Sequence, residues 1–298
     1  MNLLELMQET KQDVDSALSK FFQKKYQEAE HIHPSTMALV RQISELTLRG
    51  GKRTRPFLCW VGYQAITNDK WQMMHEIPDK LLHAMVGLEL FQTFALIHDD
   101  IIDESPQRRG GPAVHERFRL SSASCQLSAK NAKHYGESMA LLAGDLALAW
   151  ADEEITISKK VKNNELLRIY QKMKEGVIFG QTLDVMRESG ASDISKERVD
   201  ELKTAWYSVV RPLQMGSSLA AGVTPKYMRF WEAWGVPVGM LFQLRDDFLD
   251  GAVDEASFVK KAEVLQKKAH RVMDGAAIAD DAMALLSDIV QFVSTRKS

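Results

Sequence analysis

Two acidic clusters of the form D-D-x-x-D, each directly after an apolar run, constrain the fold of this chain most. The clusters are Asp99-Asp100-Ile101-Ile102-Asp103 and Asp246-Asp247-Phe248-Leu249-Asp250. On a helix the first and last Asp of each cluster are four residues apart and share one face. Carboxylates this close repel each other unless a cation neutralises them. A single cluster is explained equally well as a solvated helix end or as a metal-binding site. Two clusters in apolar surroundings favour the binding of a hard cation such as Mg²⁺.

Two glycine-containing basic turns supply charges of the opposite sign. They are Gly50-Gly51-Lys52-Arg53-Thr54-Arg55-Pro56 and Pro106-Gln107-Arg108-Arg109-Gly110-Gly111-Pro112. Glycine lets the backbone approach an anion closely, and the planar arginine side chain binds phosphate through two parallel hydrogen bonds. Either turn alone is usually a solvated loop. Because the second turn follows the first acidic cluster within one loop, the pattern favours metal-bridged phosphate recognition.

The spacing of apolar residues predicts helices throughout the chain. Leu166, Ile169, Met173 and Val177 are one example of apolar residues at helical intervals, whereas glycine and proline collect between such stretches. No segment shows sustained two-residue alternation flanked by hairpin turns. There is also no linker, repeat or low-complexity segment. We therefore predict an all-α fold, with many antiparallel helices around one core in a single domain that spans residues 1–298.

Composition excludes several classes of protein. The 298 residues are 45% apolar and 26% charged, which is enough for a buried core, and the net charge of 38 − 40 = −2 gives no support for nucleic-acid binding. The start of the chain does not read as an export signal, so Cys59 and Cys125 are interpreted as free thiols in a reducing, cytoplasmic setting. Polar residues interrupt the most apolar stretch, residues 81–97, which therefore reads as a buried helix and not as a membrane span.

The motifs together resemble one family, the trans-isoprenyl diphosphate synthases (polyprenyl synthetases). That family carries G-G-K-x-x-R-P, a first D-D-x-x-D followed by R-R-G, G-Q-x-x-D, a K-T pair and F-Q-x-x-D-D-x-x-D. The same patterns occur here in the same order, at Gly50–Pro56, Asp99–Gly110, Gly180–Asp184, Lys203-Thr204 and Phe242–Asp250. They cover residues from about 45 to 250. Each motif is weak alone, but five in sequence are very specific.

The resemblance implies a bundle of helices around a deep central cavity, usually as a homodimer, and it assigns roles to individual residues. Several Mg²⁺ ions per active site would be bound directly by Asp99, Asp103 and Asp246, with support from Asp100, Asp247 and Asp250. The allylic diphosphate would be held by Arg108, Lys203 and Gln243, with Gln181 and Thr204 also in the site. Isopentenyl diphosphate would be held by Lys52, Arg55 and Arg109, with Gln92 where many relatives have His. Five of these residues would take part in catalysis: Asp99, Asp103, Asp246, Lys203 and Arg108.

The implied activity is head-to-tail condensation of isopentenyl diphosphate with an allylic diphosphate. In this family the helix before the first acidic cluster closes the cavity that receives the growing chain. Phe94, the fifth residue before Asp99, lies roughly 7–8 Å along that helix and resembles the aromatic floor of short-chain synthases. Ala95 lies more directly beneath Asp99, and Phe91 stands almost one turn further back as a second floor. Geranylgeranyl diphosphate is the expected product, with farnesyl diphosphate as the alternative.

One departure concerns the segment after the second acidic cluster. Relatives continue with a lysine- and glycine-rich loop that closes over the diphosphate, whereas Asp250 is followed here by Gly251-Ala252-Val253-Asp254-Glu255-Ala256. Either the gene lacks this lid, or a lid segment after Asp250 is missing from the sequence. The second alternative is favoured, because catalytic lids are commonly mobile and the loss of central helices would expose core.

Two other classes of function stay open. A class I terpene cyclase shares metal-triggered ionisation but does not need the basic turn at residues 50–55. A non-catalytic subunit of a heteromeric synthase is expected to lose one acidic cluster, and both are intact here. If the lid is truly absent, the non-catalytic alternative gains weight.

Overall fold

The fold is almost entirely helical, which confirms the predicted all-α class. The computed structural model describes residues 2–67, 77–121, 127–158, 164–220, 224–276, 278 and 280–296. Its α-helices are α1 (Leu3–Ile32), α2 (Met37–Leu48), α3 (Thr54–Thr67), α4 (Asp79–Ile102), α5 (Val114–Ser121), α6 (Ala129–Ser158), α7 (Glu165–Glu188), α8 (Lys196–Asp200), α9 (Arg211–Leu219), α10 (Pro225–Leu249), α11 (Glu255–Met273) and α12 (Asp280–Thr295).

Three further elements occur between these helices in the part of the chain that the structure describes. A 3₁₀ turn, Pro34–Thr36, precedes α2, and a π-helix, Glu201–Val210, joins α8 to α9. Strands β1 (Gln107–Arg108) and β2 (Gly111–Pro112) pair antiparallel as a minimal hairpin between α4 and α5. The sequence did not predict this hairpin, because two residues per strand are too few to show an alternating pattern.

The helices divide into two compact units, each of which carries one acidic cluster. The Asp99 unit comprises Gln8–Pro56 and Leu82–Ser158. The Asp246 unit comprises Met1–Met7, Phe57–Leu81 and Lys159–Ser298.

The core of the Asp99 unit is formed by apolar faces of α1, α2, α4 and α6. Leu18, Ile43 and Phe91 are fully buried. The rings of Phe21 and Phe22 on α1 meet Trp150 on α6 edge to face, with centroids 5.6 and 6.2 Å apart. Such aromatic contacts add to the free energy gained by burial, so they fix α1 against α6.

The Asp246 unit depends on close approaches between helix backbones. A Cβ atom on Gly216 of α9 would lie 1.7 Å from the Cys59 carbonyl oxygen on α3, and one on Gly62 would lie 2.1 Å from the Leu213 carbonyl oxygen. Ser217 Oγ donates to the Gly62 carbonyl at 2.7 Å and accepts from Trp231 Nε1 at 2.7 Å. The two glycines therefore allow α3 and α9 to pack in backbone contact.

Helix α10 carries the second acidic cluster and packs against the π-helix and α11. A Cβ atom on Gly239 would lie 2.3 Å from Cα of Ala205 in the π-helix. Because this contact is so close, Thr204, next to Ala205, reaches Gln243, one turn after Gly239. The packing thus positions part of the candidate site.

The apolar helix α4 passes a length and hydropathy test for a membrane span, with a mean hydropathy of 1.3 over its most apolar window. It is the single such helix among the described residues, and 67% of that window is buried inside the protein. Core helices pass the same test, and the burial agrees with the predicted buried helix. Cys59 is a free, fully buried thiol, and burial raises its pKa. Cys125 lies outside the described residues.

Candidate active site

The first acidic cluster lies at the end of α4 in the Asp99 unit. The Asp99 side chain is 27% exposed and Asp103, four residues later, is exposed. The Asp103 N–H donates to the Asp99 carbonyl oxygen at 2.8 Å, so the helical turn continues through the cluster. The structure therefore keeps the two predicted metal ligands on one helical turn.

Asp100, unlike Asp99 and Asp103, is fully buried. Its Oδ1 accepts from Arg108 Nε at 2.6 Å and contacts Arg108 Nη2 at 2.5 Å. Burial raises the pKa of Asp100, and the Arg108 guanidinium opposes that rise. Arg108 Nη2 also lies 3.5 Å from Asp99 Oδ2, so the arginine predicted to bind the allylic diphosphate is paired with the acidic cluster in this structure.

The hairpin that follows places Arg109 on a turn. Arg109 and Gly110 have φ angles of 51° and 72°, and both lie in the left-handed region. Two successive positive φ angles match the type I′ turn, which fits the twist of a two-residue hairpin loop. Arg109 Nη1 donates to the Leu46 carbonyl oxygen at 3.0 Å, at the end of α2.

The first basic turn contains one buried and two accessible cations. Arg53 has a side chain that is only 1% exposed. Its Nε donates to Asp15 at 2.7 Å, its Nη1 to Glu89 at 2.6 Å and its Nη2 to the Thr47 carbonyl oxygen at 2.8 Å. By contrast Lys52 is exposed and Arg55 half-buried. Arg53 thus anchors the turn, whereas the side chains of Lys52 and Arg55 are at least partly exposed.

Arg109 and the basic turn come together in the Asp99 unit. A Cβ atom on Gly51 would lie 3.4 Å from both Arg109 Nη2 and Arg53 Nη1, and Gly51 has a φ of 109°. Burial lowers the pKa of Arg109, Glu89 raises it, and the arginines at 53, 55 and 108 lower it further. This concentration of positive charge is what a diphosphate-binding site requires. Gln92, on α4, is half-buried in the same unit.

The residues predicted to set product length lie along α4. Phe94 is 9% exposed, and its ring contacts Phe91 and His98 with centroids 5.3 and 4.8 Å apart. Phe91 is fully buried, and Ala95 is half-buried. The two phenylalanines therefore form one aromatic pair, with Phe91 behind Phe94.

In the Asp246 unit, the predicted diphosphate ligand Lys203 is paired with Asp184. Lys203 Nζ donates to Asp184 Oδ2 at 2.7 Å, and Arg187 Nη2 donates to Asp184 Oδ1 at 3.0 Å. Burial raises the pKa of Asp184, but the bonds from Lys203 and Arg187 outweigh it and leave the pKa below its ordinary value. Gln181 lies one turn before Asp184 on α7 and is half-buried.

A chain of hydrogen bonds connects the π-helix to the second acidic cluster. Thr204 Oγ1 donates to Gln243 Oε1 at 2.8 Å, and Gln243 Nε2 donates to Asp247 Oδ1 at 2.9 Å. Lys196 Nζ donates to Asp247 Oδ2 at 2.8 Å and to Asp200 at 2.7 Å. Asp247 therefore has protein partners on both oxygens, which fits the supporting role assigned to it.

The other two acids of this cluster differ from Asp247. Asp246 is 38% exposed on its side chain and forms an ion pair with Arg296, whereas Asp250 is exposed at the end of α10. A pocket of about 710 Å³ opens beside the cluster, between α8, α10 and α11. Asp247, Lys196, Met240 and Leu244 are among the residues that line it.

Both clusters have the donor chemistry that Mg²⁺ requires. They offer carboxylate oxygens alone, the hard ligands that this ion prefers. Oδ2 of Asp100 is buried without a hydrogen-bond partner, an acceptor that a cation could satisfy. Across the described residues, however, no three His, Cys, Asp or Glu side chains already lie close enough together to hold an ion. The residues fit Mg²⁺ by their chemistry, and their role as ligands stays a prediction.

Four side chains next to the site were missed by the sequence analysis: Asp15, Glu89, Lys196 and Arg296. Each pairs with a motif residue that is distant along the chain, as Asp15 does with Arg53 across 38 positions. No local pattern marks such a partner. The one available signal was Glu89, a charged residue within an apolar helix, because a buried acid implies a buried cation.

A family model described as polyprenyl synthetase matches residues 37–282. The short chain isoprenyl diphosphate synthase of Methanothermobacter thermautotrophicus is 30% identical over 232 residues, which are 77% of this chain and 62% of that protein. That of Methanocaldococcus jannaschii is 30% identical over 216 residues, 72% of this chain and 58% of that protein. The matches thus span about three fifths of these relatives. The farnesyl diphosphate synthase of Haemophilus influenzae is 25% identical, over 84% of this chain and 78% of that protein.

Solved structures share the fold. The geranylgeranyl pyrophosphate synthase of Corynebacterium glutamicum, solved with isoprenyl diphosphate and magnesium, superposes with a TM-score of 0.84 at 24% identity and covers 99% of both chains. The geranylgeranyl pyrophosphate synthetase of Pyrococcus horikoshii gives a TM-score of 0.76 at 20% identity and covers 99% of this chain and 98% of that one.

Proposed function

We propose that this chain, which belongs to the polyprenyl synthetase family, is a Mg²⁺-dependent prenyltransferase that condenses isopentenyl diphosphate with an allylic diphosphate. The observation that carries the proposal is that the acidic cluster and both basic turns belong to the Asp99 unit, where Arg108 pairs with Asp99 and Asp100. There the end of α4 presents Asp99 and Asp103, while Arg109 lies beside the basic turn that bears Lys52 and Arg55. A site for a metal–diphosphate complex needs both kinds of charge.

The basic residues bind and orient the two diphosphates. Lys52, Arg55 and Arg109 hold isopentenyl diphosphate, and Arg108, Lys203 and Gln243 hold the allylic diphosphate. Arg108 and Lys203 are positioned by Asp100 and Asp184. Because these carboxylates hold the two cations in place, the cations need little reorganisation when a diphosphate binds.

The carboxylates of both clusters are proposed to hold Mg²⁺, with Asp99, Asp103 and Asp246 as direct ligands. Bound Mg²⁺ supplies Lewis-acid neutralisation of the departing diphosphate. Asp100, Asp247 and Asp250 support this set. Asp100 does so by fixing Arg108, and Asp247 by fixing Gln243.

Apolar residues protect the reaction from water. When the C–O bond to the allylic diphosphate breaks, the diphosphate leaves with the bonding electrons and an allylic cation remains. The isopentenyl double bond then attacks C1 of that cation, and a proton is lost from the isopentenyl C2 to the released diphosphate. A cation of this kind reacts with water, so the buried aromatic pair Phe91–Phe94 and the neighbouring apolar residues of α4 are part of the chemistry.

The proposed product is geranylgeranyl diphosphate, and farnesyl diphosphate is the alternative. Phe94 is one aromatic residue at the fifth position before Asp99, and the small Ala95 follows it. The proteins named above include synthases for both products. Residues 1–298 are proposed to form one cytoplasmic synthase domain, with a lid after Asp250 still expected.

We also propose a homodimer. Exposed apolar side chains on α6, such as Leu141 (47%) and Leu142 (56%), are candidates for the contact between subunits. Sedimentation equilibrium is expected to give twice the chain mass of 33.7 kDa. A mass of one chain at micromolar concentration would contradict the dimer.

Product analysis tests the function. The purified protein is incubated with labelled isopentenyl diphosphate and with dimethylallyl, geranyl or farnesyl diphosphate in Mg²⁺ or in EDTA, and the dephosphorylated products are separated by chromatography. The proposal predicts geranylgeraniol in Mg²⁺ and no product in EDTA. Farnesol would select the alternative product. No condensation with any primer would favour a non-catalytic subunit, and a cyclic hydrocarbon would indicate a terpene cyclase.

A further inference from the structure

Arg296, the residue that follows α12, lies buried against the second acidic cluster. Its side chain is 5% exposed. Nη2 lies 2.6 Å from Asp246 Oδ1 and donates to the Phe242 carbonyl oxygen at 3.1 Å. The guanidinium also stacks on the Phe242 ring, 3.9 Å from its centroid. Arg296 thus binds one turn of α10 that ends at Asp246.

Arg296 is also held by contacts that do not involve Asp246. Arg245 Nε donates to the Arg296 carbonyl oxygen at 2.8 Å, and the Arg296 N–H donates to the Phe292 carbonyl oxygen at 2.9 Å. The stacking on Phe242 adds a cation–π contact, which is stronger when the cation is desolvated. The Arg296 backbone and guanidinium thus both have contacts that do not depend on Asp246.

Only one oxygen of Asp246 is used in this contact. Oδ1 forms an ion pair with Arg296 Nη2, whereas Oδ2 has no hydrogen-bond partner among the described residues, and the side chain is 38% exposed. A fixed arginine on one carboxylate oxygen restricts rotation of the carboxylate. The other oxygen is then available to a second cation.

Stability alone does not account for this ion pair. Removing an arginine from water is costly, and a buried ion pair contributes little net stability compared with apolar residues of the same size. Arg296 is directed at a carboxylate that the proposed function assigns to Mg²⁺. It lies outside the matched residues 37–282, so the family match assigns it no role.

We propose that Arg296 is a positioning residue, which orients the Asp246 carboxylate so that Oδ2 binds Mg²⁺. This inference rests on the proposed function. Hydrogen-bond partners of metal-ligating side chains typically contribute about 10- to 100-fold to metal affinity or activity. In a competing arrangement, Arg296 occupies the place of the ion. Replacing Arg296 would then strengthen Mg²⁺ binding instead of weakening it.

A metal titration shows whether removal of Arg296 weakens or strengthens Mg²⁺ binding. Mg²⁺ is titrated calorimetrically into the full-length protein with inorganic pyrophosphate present, in the wild type, Arg296→Gln, Arg296→Lys and the control Arg271→Gln. Arg271 is an exposed arginine of α11 without an ion pair among the described residues. The proposal predicts an apparent Kd for Mg²⁺ about 10- to 100-fold higher in Arg296→Gln. It predicts a smaller increase in Arg296→Lys and no change in the control.

A double-mutant cycle tests whether Arg296 acts through Asp246. The variants Asp246→Asn and Asp246→Asn/Arg296→Gln are expected to have the same Mg²⁺ affinity, because the second change then has no ligand to orient. Circular dichroism and thermal melting check the fold of each variant. Arg296→Lys keeps the buried charge and provides the comparison if Arg296→Gln does not fold.

Three results would overturn the proposal: unchanged Mg²⁺ affinity in the folded Arg296 variants, tighter binding in them, or additive effects in the cycle. Failure of the proposed function looks different. In that case the wild type itself would show neither Mg²⁺–pyrophosphate binding nor Mg²⁺-dependent condensation.

Discussion

Arg53 shows at the scale of a single residue how a binding turn is built. Three cations of one short turn, Lys52, Arg53 and Arg55, look equivalent in the sequence. Arg53 alone is buried, and it uses all of its guanidinium nitrogens on Asp15, Glu89 and Thr47. Arg53 is therefore a structural residue of the turn, whereas the partly exposed Lys52 and Arg55 are the residues proposed to bind the ligand.

Arg53→Ala is expected to destabilise the protein strongly. The Glu89 carboxylate is 4% exposed and would lose its buried partner, which costs about 3–5 kcal/mol of the free energy of unfolding. Urea denaturation measures the loss. The exposed control Arg271→Ala should change stability by less than about 0.5 kcal/mol. A loss below about 1 kcal/mol for Arg53→Ala, the value of a surface pair, would contradict this account.

Single-residue changes also separate the two diphosphate sites. Lys52→Ala and Arg55→Ala should mainly raise the KM for isopentenyl diphosphate, and Lys203→Ala that for the allylic substrate, because the cations lie in different units. A charge-assisted phosphate contact of about 1.5–3 kcal/mol corresponds to a change of about 10- to 100-fold. Steady-state kinetics with each substrate varied in turn measure the effect. Equal changes in both KM values for all three variants would mean that the sites are misassigned.

The partners of these residues could not be read from the sequence, whereas the motif residues could. Local spacing places Asp99 and Asp103 on one helix face, and the structure has them on one turn at the end of α4. By contrast Arg296 reaches the Phe242 carbonyl across 54 positions, and nothing in the intervening sequence specifies that contact. Long-range pairing depends on how helices pack, which the apolar pattern does not determine.

At the scale of elements, helix α4 carries both the acidic cluster and the residues proposed to limit chain length. Its apolar pattern predicted a buried helix, and the buried Phe91 and Phe94 agree. The π-helix at residues 201–210 was not predicted, because its apolar spacing does not differ enough from that of an α-helix. Its close contact with Gly239 of α10 is a tertiary feature, and π-helical turns often occur at functional sites.

Phe94→Ala is expected to lengthen the product by at least one isoprenoid step. The change removes most of a ring and leaves apolar space that a growing chain can fill. Phe91 lies directly behind, so Phe91→Ala/Phe94→Ala should give still longer products. Chromatography of dephosphorylated products provides the measurement. If the folded, active single variant kept the wild-type product distribution, another residue would have to set the length.

At the scale of the whole molecule, the sequence predicted the helical class and the family but not the division into two units. The reason is physical: two of the boundaries, at Pro56/Phe57 and Leu81/Leu82, fall inside α3 and α4 and not in linkers. Continuous helices cross them without any change in composition. The family, in contrast, depends on short motifs in a fixed order, and such motifs are visible without any knowledge of packing.

Metal dependence is the central claim, and one measurement tests it most directly. The rate of condensation of isopentenyl diphosphate with farnesyl diphosphate is measured for the wild type in Mg²⁺ and in EDTA, and for Asp99→Ala and Asp246→Ala in Mg²⁺. Each aspartate is expected to contribute at least about 100-fold to the rate, comparable to a group that stabilises developing charge, and EDTA should abolish turnover. Near-normal turnover in EDTA, or in either folded variant, would contradict the account.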